Sequence, residues 1–235
     1  MKYVFFFLFP LFVAQSQGLI EHQSQVWYGY YLTHSLHAKW YVRGEVHTRH
    51  FVDPLVHHQN AFRAHVHRTI GDNWDLSAGA ALFLNTPNDS RTANRLAIPE
   101  YRPHLDIVYK HRVAKVRLDH RFRSEMRFNR VTNASRTELT DAINFSNYRL
   151  RYRIQALFPF IKRIQGKVNT EILLNAAQEN PANDLDQHRM FAGVSIPLRD
   201  NLTVDVGYLH AFQQRPNLNY YDRSILSIIV YHRIP

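Results

Sequence analysis

Cysteine is absent from the 235-residue chain, so neither disulfides nor thiolate metal sites can hold the fold together. Glycine is scarce, at 8 residues, and no glycine-rich loop that could cradle a phosphate is present. Beyond the N-terminus, no apolar stretch reaches the ~18 residues that indicate a transmembrane helix. These absences exclude a disulfide scaffold, a helical membrane protein and a nucleotide-binding protein of the glycine-loop type.

Acidic residues are also few, at 19 Asp and Glu against 29 Lys and Arg, which gives a formal net charge of +10. In a soluble protein this balance would first suggest nucleic acid. Here, however, the basic residues alternate with apolar ones along the whole chain instead of clustering in one helix or tail. We therefore expect no nucleic-acid partner, and attribute the basic balance to the fold.

The N-terminal segment carries one lysine followed by an apolar run from Tyr3 to Ala14. Twelve residues are too few to span a bilayer as a helix, which needs about 20. The run ends in Ala14-Gln15-Ser16, a small-x-small pattern typical of secretory cleavage sites. We predict a signal peptide over residues 1–16 and a single mature domain over residues 17–235. The alternative is a buried N-terminal strand.

Strand periodicity dominates the mature chain, and its clearest case runs from Val113 to Phe128. Charged side chains occupy every second position from Lys115 to Arg127, and the positions between them are largely apolar. Successive side chains of a strand point to opposite faces. A helix would scatter the same charges around its circumference, so a helix is excluded here.

The same pattern recurs along the chain and gives a count of eleven strands, joined alternately by short turns and long polar loops. This alternation of connections is typical of transmembrane barrels. We predict an all-β fold, an antiparallel transmembrane β-barrel of about 10–12 strands. Because single-chain bacterial barrels have even strand numbers, we expect the count of eleven to be wrong by one. His57 and His58 are expected in a loop.

Alternation alone does not decide which face is inside, because a soluble lipocalin-like barrel has an apolar interior. Two features favour an apolar exterior. Aromatic residues bracket the apolar faces, as Tyr148 and Phe158 do, and ten tilted residues span roughly 25 Å, the height of the lipid-facing band. The strands, at roughly 12–16 residues, also exceed the ~5–6 typical of soluble sheets. A soluble periplasmic barrel or sandwich is the alternative.

Several motifs resemble a bacterial family known as domain of unknown function 2490. The resemblance covers nearly all of the mature chain and implies an outer-membrane β-barrel, exported through a signal peptide, with no established activity. The C-terminus departs from barrel habit, because it ends on Ile234 and Pro235 instead of an aromatic residue. The motifs that carry the resemblance are Lys39-Trp40-x-x-x-x-Glu45-x-x-x-Arg49, Glu100-Tyr101-Arg102-Pro103, Arg117-x-Asp119-x-Arg121-x-Arg123-x-Glu125, Arg149-Leu150-Arg151-Tyr152-Arg153 and Asn169-Thr170-Glu171.

The charged face predicts the chemistry of the lumen. Between Lys39 and Gln213, sixteen Lys or Arg and eight Asp or Glu fall on the inner face. Unpaired buried guanidinium groups are costly, so water or anions should reach some of them. We expect a narrow anion-preferring channel or a binder of small anionic solutes in outer-membrane lipid; the alternative is a barrel plugged by ion pairs. The residues predicted to face the lumen and its anions are Arg43, Arg102, Arg117, Arg121, Arg123, Glu125, Arg149, Arg151, Arg153 and Glu171.

Enzyme and metal chemistry receive weaker support, and we expect no enzyme, no cofactor and no metal. A lipid-modifying barrel enzyme would use a Ser–His pair on the outer face. His22 and Ser24 have a suitable spacing, whereas His120 and Ser124 lie roughly 13 Å apart along a strand. His65 and His67, with His47 on the next strand, could suit zinc or copper, but neighbouring arginines would repel a cation. The oligomeric state is not indicated by the sequence.

Overall fold

The computed structural model describes residues 18–176, 184–215, 217 and 219–235, so the predicted signal peptide lies outside the described residues. The described chain is all-β, and none of its segments forms a helix long and apolar enough to cross a membrane. Eleven strands follow in order: β1 (Ile20–His37), β2 (Trp40–Phe51), β3 (Val56–Ile70), β4 (Trp74–Asn85), β5 (Ile98–Val113), β6 (Val116–Thr132), β7 (Leu139–Ile161), β8 (Ile164–Ala176), β9 (Leu185–Arg199), β10 (Leu202–Gln214) and β11 (Tyr220–Ile234).

The strands close into one barrel in which each strand pairs with its neighbours in sequence and β1 pairs with β11. All pairs are antiparallel except the closing one, which is a parallel ladder of fifteen residue pairs from Ile20 opposite Tyr220 to His34 opposite Ile234. An odd number of alternating strands leaves the first and last pointing the same way, so closure must be parallel. The count of eleven is confirmed. The expectation of an even number was wrong, and so was the prediction of a wholly antiparallel barrel.

The connections divide the barrel into two ends. Two- and three-residue turns join β2 to β1 and β4 to β3, and similar turns follow at β5–β6, β7–β8 and β9–β10. We call this the turn end. The opposite, loop end carries the N-terminus of β1 and the longer connections, of which residues 86–97 between β4 and β5 form the longest within the fully described segments. The connection between β6 and β7 is short, at residues 133–138, because both strands continue past two register shifts.

The two faces of the wall differ as the alternation predicts. Leu105 is 62% exposed on the outside, whereas Asp106 is 5% exposed on the inside. The same contrast separates Leu150 from Arg151 and Val204 from Asp205, since the aliphatic member is the more exposed of each pair. The interior is therefore the polar side of this barrel, and a lipocalin-like apolar interior is excluded.

The interior also contains apolar side chains. Phe51, Phe83, Leu173 and Ile225 are buried inside among the charges. Residues 57 and 58, expected in a loop, belong to β3. His50 pairs with residue 57 and Arg49 with residue 59, so a register shift lies between them and residue 58 is buried instead of looped out.

The lumen and its arginines as the candidate functional site

Strands β6 and β7 bring the predicted arginines face to face. Arg121 pairs with Arg153 and Arg123 with Arg151, so two pairs of like charges lie directly opposite each other. Like charges on neighbouring strands destabilise a sheet unless an opposite charge intervenes. The carboxylates that intervene come from both neighbouring strands and from β6 itself.

Asp106 on β5 compensates Arg123 completely. The guanidinium donates through Nε at 2.5 Å and through Nη2 at 2.7 Å to the two carboxylate oxygens. Both residues are about 95% buried, at 4% and 5% exposure. A buried bidentate pair of this geometry has its hydrogen-bonding capacity largely satisfied within the protein. Arg123 is thus bound to the wall and has little capacity left for a solute.

Glu171 on β8 is shared by arginines from three strands. Arg121 donates to it at 2.5 Å, Arg151 donates to both of its oxygens at 2.9 Å, and a guanidinium nitrogen of Arg189 lies 3.9 Å away. One carboxylate therefore faces three guanidinium groups. Positive charge therefore exceeds negative charge at this point of the lumen, although each of the three guanidinium groups lies within 4 Å of the Glu171 carboxylate.

The loop-end half of β5 to β7 holds a second chain of ion pairs. Glu100 accepts from Arg102 at 2.6 Å and also from Arg127. Arg149 donates to Glu125 and, at 2.7 Å, to Asp186 of β9. We refer to the pairs described so far as the paired network; it comprises Arg102, Arg121, Arg123, Arg127, Arg149 and Arg151 with Glu100, Asp106, Glu125, Glu171 and Asp186.

The remaining predicted site residues lie outside this network. Arg43 donates through Nε to the hydroxyl of Thr33 at 3.2 Å, and Arg117 pairs with Asp119 with 42% of its own side chain exposed. Arg153 forms no ion pair within 4 Å among the described residues, and its Nε is buried without a hydrogen-bond partner. The sequence thus placed all ten residues on one face, but the structure does not gather them into one site.

A cavity of about 430 Å³ occupies the lumen toward the loop end. Ten arginines line it, and in the described part of the chain Glu100 is the one acidic residue of its lining. Trp27 and Phe83 contribute aromatic surface. The arginines are Arg49, Arg63, Arg102, Arg127, Arg130, Arg136, Arg149, Arg151, Arg189 and Arg223. A cavity with this lining is a strong local source of positive potential.

Three of these arginines, which we call the mouth arginines, are Arg49, Arg189 and Arg223. Arg49 is 8% exposed, and its guanidinium has no hydrogen-bond or ion-pair partner in the described ranges. Arg223, at 5% exposure, donates only to neutral oxygens within the described part of the chain. Arg189 donates to Gln187 at 2.8 Å. None of the three has a carboxylate within normal hydrogen-bond distance in the described chain, so their charge is available to a solute.

The mouth arginines are absent from the sequence-based site. The alternation identifies Arg49 and Arg189 as inward residues, yet a linear pattern does not show that six of the eight predicted site arginines would lie nearer to acids. Arg223 was missed because β11 does not alternate cleanly. Its inner face includes Tyr221 and Ile225, whereas Asp222 and Ser224 lie on the outer face, so hydropathy does not separate the two faces.

The histidines do not assemble as the metal alternative required. His67 pairs with Asp75 at 2.8 Å, and His47 lies 3.9 Å from Glu45. His65 instead shares a hydrogen bond of 3.1 Å with His104, across a glycine of β4 that leaves room for the two rings. Asp106 lies within 4.8 Å of both rings, which makes the trio sterically able to hold an ion.

That trio fits a cation poorly. Both oxygens of Asp106 already accept from Arg123. A divalent ion would have to displace a buried bidentate guanidinium and then remain beside its charge, which opposes binding. The geometry is better explained as part of the polar interior.

A polar patch lies on the outer face where β1, β10 and β11 approach the loop end. Asp222 accepts from His210 at 2.5 Å and lies 3.3 Å from His22. Ser224 shares a hydrogen bond of 2.9 Å with Tyr208 instead of a histidine, and no serine–histidine hydrogen bond forms among the described residues of this patch. His120, the other candidate base, bonds to Tyr152 at 2.8 Å.

Comparison with solved structures shows that the chain is similar to the NanC porin, determined in a rhombohedral crystal form. The TM-score is 0.53 at 12% sequence identity, and the alignment covers 89% of this chain and 99% of the porin chain. At an identity this low, the structural similarity shows a shared fold alone. A search of curated protein sequences finds no match. Residues 24–222 match the family described as protein of unknown function (DUF2490), and the chain therefore belongs to the DUF2490 family.

Proposed function

We propose that this protein is an integral outer-membrane barrel whose lumen admits or binds small anionic solutes. The observation that carries the proposal is the loop-end cavity, with ten arginines and Glu100 in its lining. The porin-like fold supports an outer-membrane location. The proposed role needs no catalytic residue, cofactor or metal.

The outer wall supports the membrane part of the proposal. Large apolar side chains are exposed over the whole barrel, among them Leu105, Phe122 and Tyr152 at 62%, 44% and 46% exposure. Aromatic groups cluster toward both ends. Phe145 contacts both Phe128 and Tyr148 toward the loop end, and Trp74 contacts Tyr109 toward the turn end. An apolar band between two aromatic girdles is the pattern of barrels that face lipid.

The anion part rests on uncompensated charge. A cation would meet ten guanidinium groups in the cavity, whereas an anion would meet few carboxylates that are not already hydrogen-bonded to arginine. Because the walls are shielded from bulk water, each unpaired charge acts more strongly there than at an exposed surface. Such a lumen favours anions over cations.

A plugged structural barrel is the competing function, and one observation favours it. The paired network fills much of the inner surface of β5 to β8 with rigid, short ion pairs, as between Arg123 and Asp106 or Arg151 and Glu171. A barrel of modest size can be closed by such side chains. Conductance distinguishes the two functions.

Fractionation tests the location. We expect the mature protein to remain with outer membranes after carbonate extraction and to migrate differently on gels when left unboiled. Cysteines placed singly at Leu118, Leu150 and Val204 should resist a membrane-impermeant thiol reagent, while those at Arg117 and Asp205 should react. Recovery as a soluble periplasmic protein would contradict the proposal.

Planar-bilayer recording tests the lumen. In a potassium chloride gradient, the reversal potential of the wild-type barrel should show chloride to be more permeant than potassium. A barrel without conductance would favour the plugged alternative. Cation preference would mean that carboxylates, not the arginines, control the path.

A further inference from the structure

We infer that the loop-end cavity contains a built binding site for a small solute bearing carboxylate or phosphate groups, anchored by Arg49 and Arg223. The inference deepens the proposed function and rests on it for the access of solutes to the lumen. It is narrower than anion preference, because a lumen can select anions by its mean potential without holding any of them at a defined place.

Arg49 is the first anchor. Its guanidinium carbon lies 3.7 Å from the ring centroid of Trp27, which holds the planar group in place by stacking. Stacking leaves the donors in the guanidinium plane free, and the described residues provide no acceptor for them. The charges that most influence Arg49 are those of Arg189, Arg63 and Arg102, all positive. A buried cation surrounded by cations requires an anion or water.

Arg223 is the second anchor, and the loop between β4 and β5 covers it. Its Nη2 donates to the side-chain oxygen of Asn88 at 3.2 Å, and its other bonds go to Gln23 and Gln213. The backbone oxygen of Asn88 also accepts from Gln23 at 2.8 Å, which holds the β4–β5 loop over the loop end of the cavity. Neutral oxygens thus occupy positions where a charged oxygen would be held more strongly.

The buried polar atoms around the cavity indicate which chemical groups the ligand carries. Among the described residues, Nε of Arg49 and Nε of Arg102 have no hydrogen-bond partner, and neither has one ring nitrogen of His58, which is 5% exposed and lies near both Arg49 and Arg223. Planar forks of donors match the paired oxygens of carboxylate and phosphate better than a single halide ion. Because Arg189 lies 5.6 Å from the same indole as Arg49, more than one positive charge faces the space. A dianion is therefore the best match.

The volume is consistent with an organic solute. About 430 Å³ falls within the range of small-molecule sites, roughly 300–1,000 Å³. Phe83 and Ala211 add apolar surface to the lining, which would contact the carbon skeleton of a ligand whose charged groups meet the arginines. The class is thus a small organic dianion, with inorganic phosphate as a compact member of the same chemistry.

Tryptophan fluorescence can report on this site. The chain has three tryptophans, of which Trp27 is 9% exposed beside Arg49, while Trp40 and Trp74 are 42% and 47% exposed on the outer wall. A Trp40→Phe/Trp74→Phe background in the full mature barrel leaves Trp27 as the one reporter. We would titrate it with sodium succinate and, separately, with sodium phosphate at constant ionic strength, using sodium chloride as the reference salt.

The expected result is a saturable change with succinate or phosphate at millimolar concentration or below. Arg49→Met should weaken binding roughly 10- to 100-fold, the cost of losing a hydrogen bond to a charged group. Asn88→Asp, which places a carboxylate beside Arg223, should weaken it similarly as an internal competitor. Arg117→Met, at the turn end, is the matched control and should bind as the background does.

Three outcomes would overturn the site: no saturable change up to 50 mM of either anion, as an order-of-magnitude limit; an equal response to chloride; or an equal loss in Arg117→Met. Because Arg49→Met also changes the surroundings of Trp27, binding is checked independently by titration calorimetry. Anion-selective conductance without saturable binding would contradict the binding site and support the proposed anion-selective channel. Saturable binding without conductance would support the binding site and contradict a conducting channel.

Discussion

The paired network and the mouth arginines differ in how the same side chain is used. In the paired network, Arg123 and Arg151 meet buried carboxylates in short, bidentate contacts. Among the mouth arginines, the described residues give Arg49 no such partner and Arg223 only neutral ones. The two groups share composition, burial and strand periodicity. The role of a lumen arginine therefore depends on which residue the register places next to it.

Removing an arginine from the paired network should have the largest effect on stability. Arg123→Met leaves Asp106 buried without its charge partner, which should lower the free energy of unfolding by about 3–5 kcal/mol. Urea-driven unfolding of the barrel in lipid vesicles measures this. The double variant Arg123→Met/Asp106→Asn should regain much of the loss, and a single variant as stable as wild type would show that the pair is not buried as described.

The same substitution among the mouth arginines should not destabilise the barrel. Arg49→Met removes a buried, unpaired charge and keeps most of the side-chain volume, so the unfolding free energy should stay constant or rise by about 1–2 kcal/mol. The assay is again urea unfolding in vesicles. If the unfolding free energy fell by more than about 2 kcal/mol, Arg49 would have a charge partner, and it would not differ from the arginines of the paired network as described.

Adding an acid to the mouth should have the smallest effect. Asn88→Asp replaces the neutral oxygen that accepts from Arg223 at 3.2 Å by a charged one, and should raise the unfolding free energy by about 1 kcal/mol at neutral pH. The gain should disappear as pH falls through the pKa of the new carboxyl, whereas Asn88→Ala should show no such gain. Equal stability of Asn88→Asp and wild type at neutral pH would argue against an unpaired Arg223.

The sequence was sufficient for the barrel but not for its closure or its site. Charges at every second position from Lys115 to Arg127 predict strands with one polar face, because side-chain direction alternates strictly. Parallel closure by β1 and β11 follows from the count of eleven strands and was missed because an even number was expected. The register of this pair could not be predicted, since it joins residues about 200 apart. Arg123 was predicted as an anion-facing residue; its pairing with Asp106 depends on a register that the sequence does not state.

The central claim is that the mouth arginines, and not the paired network, give the lumen its affinity for anions. The direct test is the reversal potential of Arg49→Met/Arg223→Met in a potassium chloride gradient, compared with Arg43→Met/Arg117→Met, which removes the same formal charge outside the loop-end cavity. We expect chloride selectivity to fall severalfold toward neutrality in the first variant and to stay close to wild type in the second. Equal selectivity in both double variants would contradict it.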